Sequence, residues 1–223
     1  MSEFTNRHVT PWGYIADTSA LPDFITSQEF SNFTNNKFGN DARIAPSIPS
    51  ASESIRNYCG WHVAPSLACG VFCNVHELKA SYSGADVLLQ LPATFVSEII
   101  RIVVGASYDA NTGEYDGEEI EPCNADIIGG GLIRIYDVGA RCKRCKIFIK
   151  YRAGYELASV NTIKELTANR VTHAVANSYG VNSETAGGVS VSYSALWASG
   201  SGAGALSNDS REILDFYRVK GVY

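Results

Sequence analysis

The sequence predicts an α+β fold: a helical bundle of about four helices with an antiparallel β-sheet or small sandwich inserted into it. Three observations carry this expectation. Residues 44–61, IAPSIPSASESIRNYCGW, space Ile44, Ile48, Ala51, Ile55 and Tyr58 at steps of three and four, which puts them on one helical face. Residues 62–155 change to short β-type runs separated by turn residues, as consecutive strands do. After residue 156 the helical spacing returns. The organisation expected is an N-terminal arm (1–23), a helical core from 24–61 and 156–218, a β region (62–155) and a C-terminal tail (219–223).

Bulk properties narrow the function classes. The chain has 223 residues, 45% of them apolar, enough for a substantial core. A net charge of −5 argues against gripping nucleic acid by neutralising phosphates, though not against lining a passage for DNA. No stretch of eighteen apolar residues exists to span a membrane. The start, MSEFTNRHVTPWGY, lacks an apolar signal core, so no export is expected.

The elements follow in order. Residues 1–23 mix polar residues with Phe4, Trp12 and Tyr14 and carry Pro11 and Pro22; they read as an extended arm, packed on its own subunit or docked on a neighbour. In residues 24–38, Thr26 and Glu29 have capping-box spacing, and Ile25 with Phe30 has staple spacing. Phe30 and Phe33 share a face of this short helix, which ends near Asn35-Asn36 before a turn at Gly39-Asn40.

The 44–61 helix stops at Gly60, the natural residue for a left-handed terminus, and is followed by Trp61 as an apolar anchor. Pro46 and Pro49 allow two versions: a helix starting near Pro49, or one kinked there. Strands are expected at 66–75, 86–91, 96–104, 132–138 and 145–151. In the last, Cys145, Ile147, Ile149 and Tyr151 alternate with Lys146, Phe148 and Lys150, the pattern of one buried and one mostly wet face. A long helix capped by Ser159 runs to about Tyr179, burying Val160, Ile163, Leu166, Val171, Ala174 and Val175, with Gly180 as its stop. Residues 187–195 read as a strand, 199–204 as a flexible loop and 207–217 as a final helix with Asp209 and Glu212 toward its N-terminal end. The helix-packing core expected is Ile48, Ile55, Tyr58, Trp61, Ile163, Leu166 and Val171.

The search for chemistry yields no catalytic constellation. The six cysteines are Cys59, Cys69, Cys73, Cys123, Cys142 and Cys145. Cys142 and Cys145 make a C-x-x-C pair, and Cys69, Cys73 and His76 lie earlier, which raises zinc. The earlier pair has the wider C-x-x-x-C spacing, so buried thiols are the favoured reading and no metal site is assigned. His8, His62, His76 and His173 are scattered and read as structural. The acidic stretch 109–121 puts Ile120 where a calcium loop needs its glutamate, and reads as a solvated hairpin tip. Gly129-Gly130-Gly131 precedes a strand pattern, so it is a hairpin turn and not a phosphate cradle. No cofactor is expected.

Taken in order, LPDFITSQEF, ASESIRNYCGW, LLQLPATFV, YRAGY and IKELTANRVTHA, followed by SETAGGVSVSYSA and an LDFY helix, resemble the head-to-tail connector (adaptor) proteins of long-tailed bacteriophages over most of residues 21–218. The resemblance implies a non-enzymatic virion component, assembled in the host cytoplasm and residing at the head-tail interface. It implies a homo-oligomeric, usually dodecameric, ring beneath the portal protein. Such a ring extends the channel for double-stranded DNA without binding it specifically, and docks a tail-completion (stopper) protein. The tail Arg218, Val219, Lys220, Gly221, Val222 and Tyr223 would dock on the portal as added extended backbone, anchored by Val219, Val222 and Tyr223. The long arm, the large β region and the many cysteines depart from the smaller members. Other readings are another tail-completion or capsid-decoration protein, or a zinc-binding or thiol enzyme.

Overall fold

The computed structural model describes residues 8–9, 15–16, 21–74, 81–83, 86–109, 114–138, 146–176, 183–186, 189–192 and 208–219. In chain order these form β1 (His8–Val9), β2 (Ile15–Ala16), α1 (Ser27–Phe33), α2 (Ile44–Cys59), β3 (Leu67–Asn74), β4 (Ser81–Ser83), β5 (Asp86–Gln90) and β6 (Val96–Asp109). There follow β7 (Glu114–Ile120), β8 (Ala125–Gly129), β9 (Leu132–Ile135), β10 (Lys146–Ala153), α3 (Asn161–Ala176), β11 (Ser183–Ala186), β12 (Val189–Ser192) and α4 (Asn208–Asp215). The α+β class expected from the sequence is present: four α-helices accompany antiparallel sheets of six and four strands, plus the hairpin β11–β12, among the described residues. Two compact units result. A helical unit comprises Asp23–Tyr58 and Val160–Tyr217; a β-rich unit draws on Met1–Pro22, Cys59–Ser159 and Arg218–Tyr223.

In the helical unit, α1 starts with the expected capping box: the Glu29 N–H donates to Thr26 Oγ1 at 3.1 Å and the Thr26 N–H to Glu29 Oε2 at 2.8 Å. The same carboxylate takes the Lys164 ammonium of α3 at 2.7 Å. Asn35 and Asn36 adopt positive φ (50° and 57°) and turn the chain, a conformation asparagine tolerates better than most residues. Helix α2 begins at Ile44, earlier than a start at Pro49. Pro46 falls in the first turn, where no intrahelical N–H is needed. Pro49 lies inside the helix on its exposed side, as does Ala45 one turn earlier, so water can serve the carbonyl that proline leaves without a donor.

The α2 stripe is buried as its spacing demands. Ile44, Ile48 and Ala51 form one apolar cluster with Ile25 and Phe30 around α1 and with Ala168, Val171 and Val175 of α3. Ile55, Ile163 and Leu166 are buried too, and Tyr58 is half-buried. Arg56 is buried with its guanidinium 4.3 Å from the Phe24 ring centroid, a cation–π contact in place of water. Two expectations for α3 are corrected. Ser159 ends a short 3₁₀ turn and donates its hydroxyl to Glu156 O at 2.8 Å, so it does not cap the helix. Ala174 is exposed, and Thr167 and Ala168 take the buried positions instead. Thr167 can be buried because its hydroxyl donates to Ile163 O at 2.7 Å. Residues 177–182 and the 199–204 loop lie outside the described residues.

The β-rich unit is built on a six-stranded sheet of order β1-β2-β3-β10-β6-β7 and a four-stranded sheet of order β4-β5-β9-β8. In the N-terminal arm, His8–Val9 and Ile15–Ala16 are strands, and β2 pairs with β3 of its own chain. In β10, Ile147, Ile149, Tyr151 and Ala153 face inward. Phe148, expected on the wet side, is buried beneath Tyr115, whose ring stacks on it at 4.0 Å. That contact corrects the reading of the acidic stretch: Glu114–Ile120 is a paired edge strand, and residues 110–113 lie outside the described residues. Gly117 permits the pairing, since a Cβ there would stand 2.7 Å from Val104 O and 2.8 Å from Val103 Cγ1. Strands β4, β8 and β11 have no counterpart in the sequence expectations, and β6 runs on to Asp109 through a bulge at Gly105 (φ 68°).

Three sequence motifs meet at the end of α2. Gly60 (φ 76°) stops the helix and Trp61 is fully buried, in the β-rich unit and not in the helix packing expected for it. Its ring lies 5.3 Å from His62 and 6.1 Å from Tyr155. Tyr155 in turn stacks on Phe95 at 4.7 Å, and the Gly154 N–H donates to Phe95 O at 3.1 Å. His62 is buried with Nε2 3.0 Å from Ala153 O, and the Tyr155 N–H donates to Val63 O at 2.8 Å. CGW, ATFV and YRAGY are thus neighbours in space. A fourth stretch closes the same loop: the Leu91 N–H donates to Gly131 O at 2.9 Å and Gln90 Nε2 to Gly130 O at 2.8 Å.

Two predictions follow from these local geometries. Gly131 has φ 79°, and a Cβ there would collide with Ala93 O, whereas Gly39 (φ 55°) has open space around it. Gly131→Ala is expected to cost upwards of about 3 kcal/mol and Gly39→Ala about 1 kcal/mol, read by urea unfolding; equal costs would contradict the packing of the Gly131 loop. Hydrogen bonds from Lys164 and then from the Thr26 backbone hold the Glu29 carboxyl below its usual value of 4.5. A depressed folded-state value stabilises above the unfolded pKa and is lost as pH falls through the folded one. Glu29→Gln should therefore lower stability at neutral pH and flatten its loss on acidification below about pH 4.5, as measured by thermal melts across pH; an acid limb identical to that of the parent protein would refute the coupling.

Candidate functional site

The features of the described residues that bear on function are surfaces. On the helical unit, α4 is amphipathic in an unusual way. Ser210 and Leu214 are buried, and Tyr58 Oη of α2 donates to Asp215 Oδ1 at 2.7 Å, fastening the helix. The adjacent side remains apolar and uncovered: Phe216 is 77% exposed and Ile213 39%. Asp209 and Glu212 are exposed on that side as well, at helical spacing from Ile213 and Phe216.

The same unit carries a shallow depression of 290 Å³ lined by Phe33, Thr34, Glu165, Ala168, Asn169 and Thr172. Phe33 stands at its edge and is 46% exposed, although the sequence spacing paired it with the buried Phe30. The split arises because α1 is only seven residues long: its last residue overhangs the ground that Phe30 covers. Behind the depression, Arg170 donates to Ser54 Oγ at 2.8 Å, and burial pulls the basicity of both Arg170 and His173 down from their ordinary values.

The β-rich unit exposes apolar side chains in smaller groups. Ile127 and Ile128 protrude from the edge strand β8, and Phe95 and Tyr108 are partly open. The cysteines divide by burial: Cys59 and Cys69 are buried thiols and Cys123 is an exposed one, all three without disulfides. His76, Cys142 and Cys145, and the Cys73 side chain, lie outside the described residues, and among the described residues no three His, Cys, Asp or Glu side chains converge on a metal position. No helix among the described residues is long and apolar enough to cross a membrane.

The residues expected from sequence are placed as follows. Ile48 and Val171 share the helical cluster; Ile55, Ile163 and Leu166 are buried; Trp61 sits with Tyr155. Of the C-terminal tail, Arg218 is exposed and Val219 is buried, its N–H donating to Cys59 O at 3.0 Å. That bond caps a terminal carbonyl of α2, a group that otherwise lacks an intrahelical donor. Residues 220–223 lie outside the described residues. Sequence reasoning missed the exposed pair Ile213 and Phe216. A helical projection of residues 208–217 would have revealed it, because Leu214 and Ser210 fall on a different side.

Comparison with known proteins joins these observations. Curated protein sequences give no match. A family model described as "Head completion protein" matches residues 23–219, which take in all four helices and every strand from β3 onward. The chain therefore belongs to the head completion protein family and is a structural component of the phage head that works alongside other head components in the virion.

Proposed function

We propose that this protein is the head-to-tail adaptor of its virion: a ring of copies, twelve in the usual arrangement of connector proteins, seated beneath the portal. The ring extends the DNA channel and presents a docking surface for the tail-completion protein that follows. Assembly takes place in the host cytoplasm, and the protein performs no bond-making chemistry. In this reading the helical unit acts as the bundle that joins copies, and the β region between its two segments supplies further contact surface. The observation that carries the reading is the family match over residues 23–219 together with uncovered apolar surface on the helical unit. Contiguous apolar surface left in water is disfavoured by about 25 cal/mol per Å², so a partner that covers it gains by that burial. The acidic balance, net −5, suits a channel wall along which a polyanion must slide.

The C-terminal tail is the portal contact in this proposal, with one amendment to its extent. Val219 is engaged within the chain's own fold, so the docking segment begins at Lys220 and keeps Val222 and Tyr223 as anchors. Removing residues 220–223 should leave the melting temperature unchanged and abolish stable binding to portal-bearing filled heads, scored by co-sedimentation and by the yield of tailed particles. Removing Val219 as well should also destabilise the protein, because the cap on Cys59 O is lost. Normal yields of tailed particles from the shorter truncation would reject the tail assignment.

A further inference from the structure

We propose that Cys73, His76, Cys142 and Cys145 form a structural zinc site at the end of the β3–β10 ladder where β3 finishes and β10 begins. The site concerns the fold of a single chain and does not depend on the ring. The sequence holds two chelating pairs, Cys73-x-x-His76 and Cys142-x-x-Cys145. Each has the two-residue spacing that lets one short stretch of backbone present both ligands to a single metal. Pairing Cys73 with Cys69 instead hides this arrangement, and strand geometry excludes it. Cys69 stands four residues back along β3, about 13 Å away at about 3.3 Å per residue. Two sulfurs on one zinc, each about 2.3 Å from the ion, are less than about 5 Å apart. Cys69 is also buried, with its thiol donating to Leu67 O at 3.7 Å.

The two pairs are far apart in sequence, and the ladder supplies their proximity. Strands β3 and β10 are antiparallel neighbours in the six-stranded sheet, and their register pairs Cys73 with Ile147 and, at the last rung, Asn74 with Lys146. His76 follows Asn74 by two residues; Cys145 is bonded directly to Lys146, and Cys142 stands three residues before it. At about 3.8 Å per peptide link, His76 and Cys145 leave the same rung by no more than two links each. The side chains of all four lie outside the described residues, so the assignment stands on the register and the spacing. Three cysteines and one histidine are a donor set that zinc takes in closed, four-coordinate structural sites. Three thiolates around the dication leave a net negative charge, and Arg141, Lys143, Arg144 and Lys146 interleave the second pair with positive charge. The other cysteines have different settings: Cys59 and Cys69 are buried, and Cys123 is exposed in the turn before β8. A metal at this rung would clip the start of β10 to the end of β3 and offset the loop-closure entropy of the long span between them.

The test uses the full-length protein, purified under reducing conditions without chelator. Elemental analysis should find about one zinc ion per chain. The double variant Cys142→Ser, Cys145→Ser should retain less than about a tenth of that zinc, while Cys123→Ser and Cys69→Ala should retain all of it. His76→Ala should lose zinc and His76→Cys should regain it, because four cysteines also make a structural zinc set. A ligand variant can fail to fold, so the parent protein is also stripped of metal and refilled with cobalt(II). Thiolate-to-cobalt charge-transfer absorption with the d–d bands of tetrahedral cobalt then reports the sulfur ligands directly. Stripping should lower the melting temperature and refilling should restore it. A parent protein that carries no zinc and gives no such cobalt spectrum overturns the site. Zinc that survives the loss of Cys142 and Cys145, or that needs Cys69 and not His76, overturns the ligand set.

Discussion

The structure depends on how helix α2 ends. Gly60 adopts φ 76°, the helix stops, and Trp61 is driven into a fully buried position beside His62 and Tyr155. The segments around that indole are fixed by two backbone hydrogen bonds and one from the His62 side chain. The Tyr155 N–H reaches Val63 O, the Gly154 N–H reaches Phe95 O, and His62 bonds Ala153 O. Gly154 has to be glycine here, because its φ is 112° and a Cβ would stand 2.7 Å from His62 Nε2. Val63 holds φ 65°, costly for a β-branched residue, and its neighbours' bonds maintain it. The place where the chain leaves its helical segment and the place where it comes back to one are therefore held together within a few residues of each other.

That constraint explains how a helical unit can be assembled from two stretches separated by a hundred residues of β structure. The stripe on α2 has no partner close by in sequence other than the short α1. Its main apolar partners are Ala168, Val171 and Val175 of α3, and loop closure over such a span costs entropy that one interface must recover. Shared polar contacts mark the register: Lys164 to Glu29 and Arg170 to Ser54. At the C-terminal end of α2, the Val219 N–H donates to Cys59 O.

For an assembly protein this economy has a consequence. The apolar cluster of the helical unit is built from α1, α2 and α3, and the short α4 is fastened by the buried Leu214 and Ser210 and by the Tyr58–Asp215 bond. With Ser210 and Leu214 on its buried side, α4 leaves Ile213 exposed, and Phe216, the residue just after the helix, is exposed too. A partner that binds only the folded chain would add to its stability by mass action.

Much of this was legible in the residues. The capping box at Thr26 and Glu29, the Gly60 stop, the buried stripe Ile44, Ile48, Ala51 and Ile55, and the strands around residues 67–74 and 146–153 follow from local rules, because capping, helical period and strand alternation act within a few residues. The family resemblance was legible for a related reason: CGW, LLQLPATFV and YRAGY are conspicuous in order before their contact is known. Tertiary structure alone decided that Phe148 is buried, since Tyr115 arrives from another strand to cover it, and that the acidic stretch 114–120 is a paired edge, since Gly117 lets it approach β6. It also decided that Trp61 serves the β-rich unit, that Val219 belongs to the fold and not to a free tail, and that Phe33 and Phe216 are left uncovered. Each of these turns on which distant surface reaches a side chain first, and periodicity along the chain carries no information about that.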